Sequence, residues 1–324
     1  MSGLRFDPEH FKVVEPRLKA GKPPLLKTAL EIREFTNQLL TQVLSAIPYP
    51  SNVKETVFTI QSYDGVDIQV TRFASDKVLE SADPTPAIVY THGGGLVACN
   101  VGIFAPQIAR QAQEADIPYF AVEYRLAPEN LGPCAAEDCF AALKYISEHA
   151  SDFNVDPTKI ALLGDSAGGG VAAGAALIAR DRQLSPPVAK QILIYPMLDD
   201  RTELHPDDPM LAFLTWQSND NVIAWNAYVG EAKRGKSDAD ISPYAAPARA
   251  ISLRGLPPTY IDVGTLDLFR DEDIAFAARL AKDEVEVEFH LWPGLPHGFD
   301  GMSTTTWTKR AQESRLNALR RIGV

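Results

Sequence analysis

The stretch Leu162–Gly170, LLGDSAGGG, sets a serine between an apolar run and an alanine-rich run, with glycine two residues away on each side. Glycine is entropically costly in any regular element, so three in a row need a steric or conformational reason. Before the serine, Lys159 to Leu163 reads as a short buried strand; after it, Val171 to Arg180 reads as a helix. A serine at such a junction fits the G-x-S-x-G turn, in which neighbouring side chains must vanish so that the hydroxyl stands clear. The alternative is an ordinary glycine-rich turn that holds phosphate. Such loops carry Gly-Lys-Ser/Thr or G-x-G-x-x-G, and neither occurs here.

Outward from this turn, strands alternate with helices. TVFTI (Thr56–Ile60) and VDIQVTRF (Val66–Phe73) alternate apolar and polar residues around Tyr63-Asp64-Gly65, the pattern of a hairpin. AIVYTH, YFAVEY, KIALLG, KQILIY, TYIDVG and VEVEFHLW follow, with helical stretches between most of them. Near-continuous apolar strands separated by helices predict a largely parallel sheet of about eight strands, covered on both faces. Residues 197–257 are too long for a strand-to-strand connection of this kind. They contain MLAFLTWQSNDNVIAWNAYVG, which carries Phe213, Trp216, Trp225 and Tyr228. We read an insertion at about 200–240 that joins N-terminal helices to cap the strand ends. From Pro24 to Ile47, apolar residues recur at Ile32, Phe35, Leu39, Val43 and Ile47, the spacing of an amphipathic helix. The expected division is therefore residues 1–50 as cap helices and 51–324 as the catalytic body.

In an open α/β sheet, ligands sit beyond the carboxyl ends of the strands. Those ends carry His92-Gly93-Gly94-Gly95, then Ser166, then Asp267, then His297. A nucleophilic serine needs a base, and the base needs an acid to hold its tautomer. Asp262 lies inside a strand and Asp271-Glu272-Asp273 read as a first helical turn, which leaves Asp267 alone in a loop just past a strand. The remaining histidines read as structural (His92, bonding loop backbone) or as surface groups (His10, His149, His205 and His290). Asp165 reads as an anchor for the glycine turn.

Six motifs in order, HGGG, YRLAPE, GDSAGG, SPYAAP, GTLDLFRDE and PHGF, resemble the hormone-sensitive-lipase-like branch of the α/β-hydrolases. The resemblance implies an α/β-hydrolase fold and a carboxylesterase acting through an acyl-enzyme. It also implies Ser166 as nucleophile, His297 as base, Asp267 as orienting acid and the N–H groups of Gly93, Gly94 and Ala167 as an oxyanion hole. The residues support that last assignment. Glycines let backbone approach a substrate, and Ala167 opens a helix whose first N–H groups lack intrahelical partners. Where the family has a small glycine, this chain has Cys99, which reads as packing beneath the loop. Leu96, Tyr195, Phe213 and Trp225 are the candidate pocket residues, and the aromatics Phe213, Trp216, Trp225 and Tyr228, if they face inward, would close a pocket that favours short acyl chains. The same triad also serves lactone, thioester or amide substrates, and related folds serve as ligand receptors.

A formal net charge of -11 argues against nucleic acid or an anionic membrane surface as partner. The N-terminus lacks an apolar signal core and no run of eighteen apolar residues occurs, so no membrane span is expected. Three irregularly spaced cysteines suit a reduced, cytoplasmic setting and neither a disulfide framework nor a metal site. The expectation is a small-molecule ester as partner, no cofactor and no metal; a homodimer is compatible with these features.

Overall fold

The alternating residues at the front of the body form β1 (Val53–Gln61) and β2 (Asp67–Ser75), paired antiparallel from Val53 opposite Ser75 to Gln61 opposite Asp67. The computed structural model describes residues 3–21, 24–301 and 305–323. The apolar runs become β3 (Thr85–Thr91), β4 (Tyr119–Val122), β5 (Val155–Asp165), β6 (Lys190–Ile194), β7 (Thr259–Leu266) and β8 (Val287–Pro296). One sheet results, in the order β1-β2-β4-β3-β5-β6-β7-β8. The first two pairings are antiparallel and the others parallel, so the mixed, mostly parallel sheet expected from the sequence is present.

Before the sheet come α1 (Pro8–Ala20) and α2 (Ala29–Leu44); the single turn α3 (Asp76–Leu79) follows β2. Between and after the strands lie α4 (Val101–Ala115), α5 (Cys134–Glu148), α6 (Ala167–Asp181), α7 (Ser218–Val229), α8 (Arg270–Lys282) and α9 (Thr306–Arg320). α4 packs on α9 and α5 packs on α6, while β4 and the end of β3 between them are wholly buried. That is the signature of a sheet covered on both faces. Each buried Val, Leu, Ile or Phe contributes about 1.5–3 kcal/mol. The strand ends that present the site are therefore held by a stiff base.

The helix expected from Pro24 to Ile47 is shorter than its apolar spacing suggested, running from Ala29 to Leu44. α2 starts late, at Thr28, whose hydroxyl caps the Glu31 N–H at 3.1 Å. Its buried line is Ala29, Ile32 and Leu44, and Leu39 of the expected stripe is exposed. The cause is its docking: α2 lies across α4 and α7, so only a narrow line of the helix is covered. α1 is a second helix, capped by Asp7 and begun by Pro8. His10 on α1 is fully buried, not a surface group, because the helix lays that face inward beside Phe6. The N-terminal segment also meets the insertion, through the Phe6 and Phe213 rings at 5.0 Å and through the Asn219 amide donating to Leu26 O at 3.0 Å. Among the described residues, no helix is long and apolar enough to cross a membrane.

Asp165 ends β5 and ties three elements together. Its Oδ2 accepts from the Tyr90 hydroxyl of β3 at 2.7 Å and from the Gln107 amide of α4 at 3.1 Å. Its Oδ1 has no hydrogen-bond partner among the described residues. Burial raises its pKa to about 7, against the opposing effect of the Tyr90 hydroxyl. The native state thus holds this proton where the unfolded chain, near the ordinary aspartate value, has released it. Between those two values the native form binds more protons, so stability falls as pH rises. Denaturant titrations of wild type and Asp165→Asn from pH 4 to pH 8 should show the wild-type curve declining relative to the variant. Parallel curves would contradict the buried-acid reading.

Candidate active site

Ser166 sits between β5 and α6 with φ 57° and ψ -121°, a strained conformation for a residue with a side chain. Its carbonyl accepts from Gly170 N–H at 3.2 Å and Met197 N–H at 2.9 Å, while its own N–H donates to Ile194 O at 2.8 Å. These bonds hold the turn. A β-carbon on Gly168 would stand 2.1 Å from Thr91 O, so no side chain fits where α6 crosses the end of β3. The glycines of the motif are there for close approach as much as for the turn itself.

Asp267 follows β7 and is fully buried. Its Oδ1 accepts from Phe269 N–H at 2.9 Å, which leaves Oδ2 aimed at the loop after β8. There, His297 Nδ1 lies 2.8 Å from Oδ2, and His297 Nε2 lies 2.8 Å from Ser166 Oγ. A buried carboxylate can only accept, so Nδ1 carries the proton and Nε2 is left to accept from the serine hydroxyl. The loop carrying His297 is fastened by the insertion, since Thr215 Oγ1 donates to His297 O at 2.6 Å. The imidazole meets the rings of Phe269 at 5.1 Å and Tyr195 at 4.7 Å, both edge-on. The three residues chosen from strand ends thus form one hydrogen-bonded chain.

The glycine loop faces them. A β-carbon on Gly93 would lie 3.4 Å from Ser166 Cβ, and Gly94 has φ 126°. The N–H groups of Gly93, Gly94 and Ala167 have no hydrogen-bond partner among the described residues. His92 is buried, stacked on Tyr124 at 4.4 Å, and its pKa is pushed down to about 4 by burial. The neutral ring holds Gly93 O at 2.7 Å through Nδ1. Because a trans peptide points C=O and N–H in opposite directions, this fixes the Gly94 N–H away from His92. Cys99 packs beneath the loop, 3% exposed, with its thiol pushed up to about 12 by burial.

The pocket candidates divide. Phe213 lines a cavity of about 830 Å³ between α1 and the insertion, which reaches Pro296 beside the base but does not include Ser166. Tyr195 stands against His297 and does not line that cavity. Leu96 and Trp225, 3% and 0% exposed, are core residues: Leu96 O accepts from Ala127 N–H at 3.0 Å and Trp225 packs on Tyr228. Helical periodicity in the insertion did not distinguish the buried Trp225 from Trp216, whose ring covers Gly95 so closely that a β-carbon there would meet it at 2.4 Å. Sequence reading also missed Arg33 and Asn37 on α2. Arg33 donates to Val97 O and Ala127 O at 2.6 Å each and forks onto Glu129 at 2.8 and 2.7 Å. Asn37 Oδ1 accepts from Cys99 N–H at 2.7 Å. An arginine on an amphipathic helix gives no sign of such partners, which lie far along the chain.

Residues 88–301 match the family model for the alpha/beta hydrolase fold. The chain is 34% identical over 246 residues to "Carboxylesterase NlhH" of Mycobacterium tuberculosis, covering 73% of each chain. It is 36% identical over 228 residues to "Esterase LipI" of the same organism, covering 67% of this chain and 66% of that protein. The solved structure titled "Bacterial Heroin Esterase" shares 35% identity with a TM-score of 0.86, over 98% of both chains. Esterase LipW from Mycobacterium marinum superposes with a TM-score of 0.79 at 29% identity, over 98% of this chain and 95% of that one. With the six ordered motifs, the sheet order and these relatives in agreement, this chain belongs to the alpha/beta hydrolase family, in its hormone-sensitive-lipase-like branch.

Proposed function

We propose that the protein is a serine carboxylesterase that hydrolyses short-chain acyl esters through an acyl-enzyme. The observation that carries this reading is the continuous chain from Ser166 Oγ through His297 to Asp267, with both bonds at 2.8 Å. Ser166 Oγ attacks the ester carbonyl carbon as His297 Nε2 takes its proton. The developing oxyanion is received by the N–H groups of Gly93, Gly94 and Ala167, a single donor of this kind being worth about 3–4 kcal/mol. His297 then returns the proton to the departing alkoxide, the alcohol leaves, and the acyl group stays on Ser166. Water, deprotonated by the same imidazole, attacks the acyl carbonyl, and the proton goes back to Ser166 Oγ as the acid is released. Asp267 keeps Nδ1 protonated and stabilises the imidazolium in both halves. Names of relatives as esterases support the same reaction class.

A serine-reactive phosphonate should label Ser166 stoichiometrically, and Ser166→Ala should lower kcat by on the order of 10⁵-fold or more. Retained turnover in that variant would sink the mechanism.

Short acyl preference rests on Trp216 over the glycine loop and on the insertion fastened to His297. Each buried methylene contributes about 0.8 kcal/mol until the space is full; further carbons force side chains off their rotamers at about 1–3 kcal/mol. Across nitrophenyl esters from acetyl to palmitoyl, kcat/KM should climb, peak near butanoyl or hexanoyl, and fall sharply by decanoyl. A maximum at dodecanoyl or beyond would refute the small pocket, and negligible rates on every simple ester would redirect attention to lactones, thioesters or amides.

The N-terminal helices complete the site, because Arg33 and Asn37 hold the segment that carries the glycine loop. Arg33→Met should lower kcat by roughly tenfold or more, since misplacement of about 1 Å is that costly, with little change in KM. An unchanged kcat in a folded Arg33→Met protein would show the contact to be decorative.

A further inference from the structure

Tyr195 combines backbone strain with contact to the base. At φ 37° it occupies a region that bulky residues avoid, and strain of this kind persists only where the surroundings over-determine it. Its N–H donates to Asp262 O of β7 at 2.7 Å, and its ring meets the edge of His297 at 4.7 Å and 66°. Its hydroxyl donates to Asp300 Oδ1 at 2.9 Å, and Asp300 lies three residues after His297 on the same loop. The other Asp300 oxygen pairs with Arg315 Nη1 of α9. Arg315 in turn forks onto Asp262, Nε to Oδ2 at 2.7 Å and Nη2 to Oδ1 at 3.0 Å. Its guanidinium also lies 5.5 Å from the Tyr195 and Phe299 ring centroids. Asp262 is fully buried, and the side chains of Arg315 and Asp300 are 8% and 13% exposed.

We propose that Arg315 is a positioning residue for His297, acting through Tyr195 and Asp300. The inference rests on the serine-esterase reading above. One wall of the imidazole, Phe269, is set by its own N–H bond to Asp267. The other wall, Tyr195, makes no hydrogen bond to Asp267 among the described residues. Its hydroxyl is anchored on the Asp300 carboxylate, and that carboxylate needs a buried cation to stay ionised in place. Arg315 supplies the cation and, by holding Asp262 at the same time, fixes Asp300 to the strand beneath. A planar fork that serves two carboxylates and stacks on two rings is a task for arginine and not lysine. With the wall loose, the imidazole spends less time aligned with Ser166, so chemistry slows and substrate binding is spared.

The test compares Tyr195→Phe, Asp300→Asn, Arg315→Lys and Arg315→Met with wild type. Steady-state kinetics on a nitrophenyl butanoate, thermal midpoints and the downfield proton signal of His297 Nδ1–H should be measured together. Tyr195→Phe keeps the ring and the fold, so kcat should fall about five- to tenfold with KM within twofold and the thermal midpoint little moved. The Nδ1–H signal should broaden in step with kcat. Arg315→Met should lose more, and Arg315→Lys should recover part of that loss. If Arg315→Met does not fold, Tyr195→Phe and Asp300→Asn decide the question. Wild-type kcat and an unaltered imidazole signal in both would overturn the proposal, as would losses that track thermal stability alone. Failure of the esterase reading itself is distinguishable: wild type would then not be labelled by the phosphonate at Ser166.

Discussion

Everything in the site hangs on the sharp turn at which β5 hands over to α6. Ser166 is held at a positive φ, and α6 is drawn so close to β3 that Gly168 has backbone where a side chain would be. The turn is affordable only because neighbouring strands supply its partners: Ile194 from β6 accepts its N–H, and Met197 beyond β6 donates to its carbonyl. A turn stabilised by adjacent strands presents its side chain at one defined place above the sheet. The end of β3 places the glycine loop beside it, and the ends of β7 and β8 bring Asp267 and His297. Each of these depends on the parallel register of strands that are distant in sequence.

Around this turn the protein treats buried carboxylates in two ways. Some are paired directly with an arginine: Asp138 with Arg125, Asp200 with Arg249, Asp262 with Arg315. Others lack a cation in direct contact, and burial raises their pKa, as for Asp165, Glu272 and Asp273. Moving an unpaired charge out of water costs several kcal/mol, so such a group keeps its proton instead. Asp267 is held differently. It is fully buried, and its partners are one backbone N–H and the imidazole.

The N-terminal helices and the insertion belong to this site although neither contributes to the sheet. α2 grips the backbone after the glycine loop through Arg33 and Asn37, while Thr215 of the insertion grips the carbonyl of His297. Phe6 and Phe213 then pack the two segments on each other. The glycine loop and the His297 loop are thus each held by one of two segments that pack on each other.

Sequence alone located the turn, the strand alternation and the residues at the strand ends. Those signals are local: glycine spacing, a run of apolar residues, a serine, acid or histidine just beyond it. Ser166, Asp267 and His297 stand out as candidates because a hydrolytic site of this kind needs such side chains at loop positions after strands, and the structure joins them by hydrogen bonds. What sequence could not reach was which face of each helix is buried, and which distant side chains meet. His10 was taken for a surface group and is buried, because α1 docks that face inward. Leu96 and Trp225 proved to be core, and Trp216 took the place beside the glycine loop. Glu272 and Asp273 fall in a first helical turn as expected, yet α8 buries both. Arg33 and Arg315 carry no local mark at all, since their partners at Val97, Ala127, Asp262 and Asp300 lie in other elements. Pattern in a chain reports which residues must leave water; only the docking of its elements decides which of them touch.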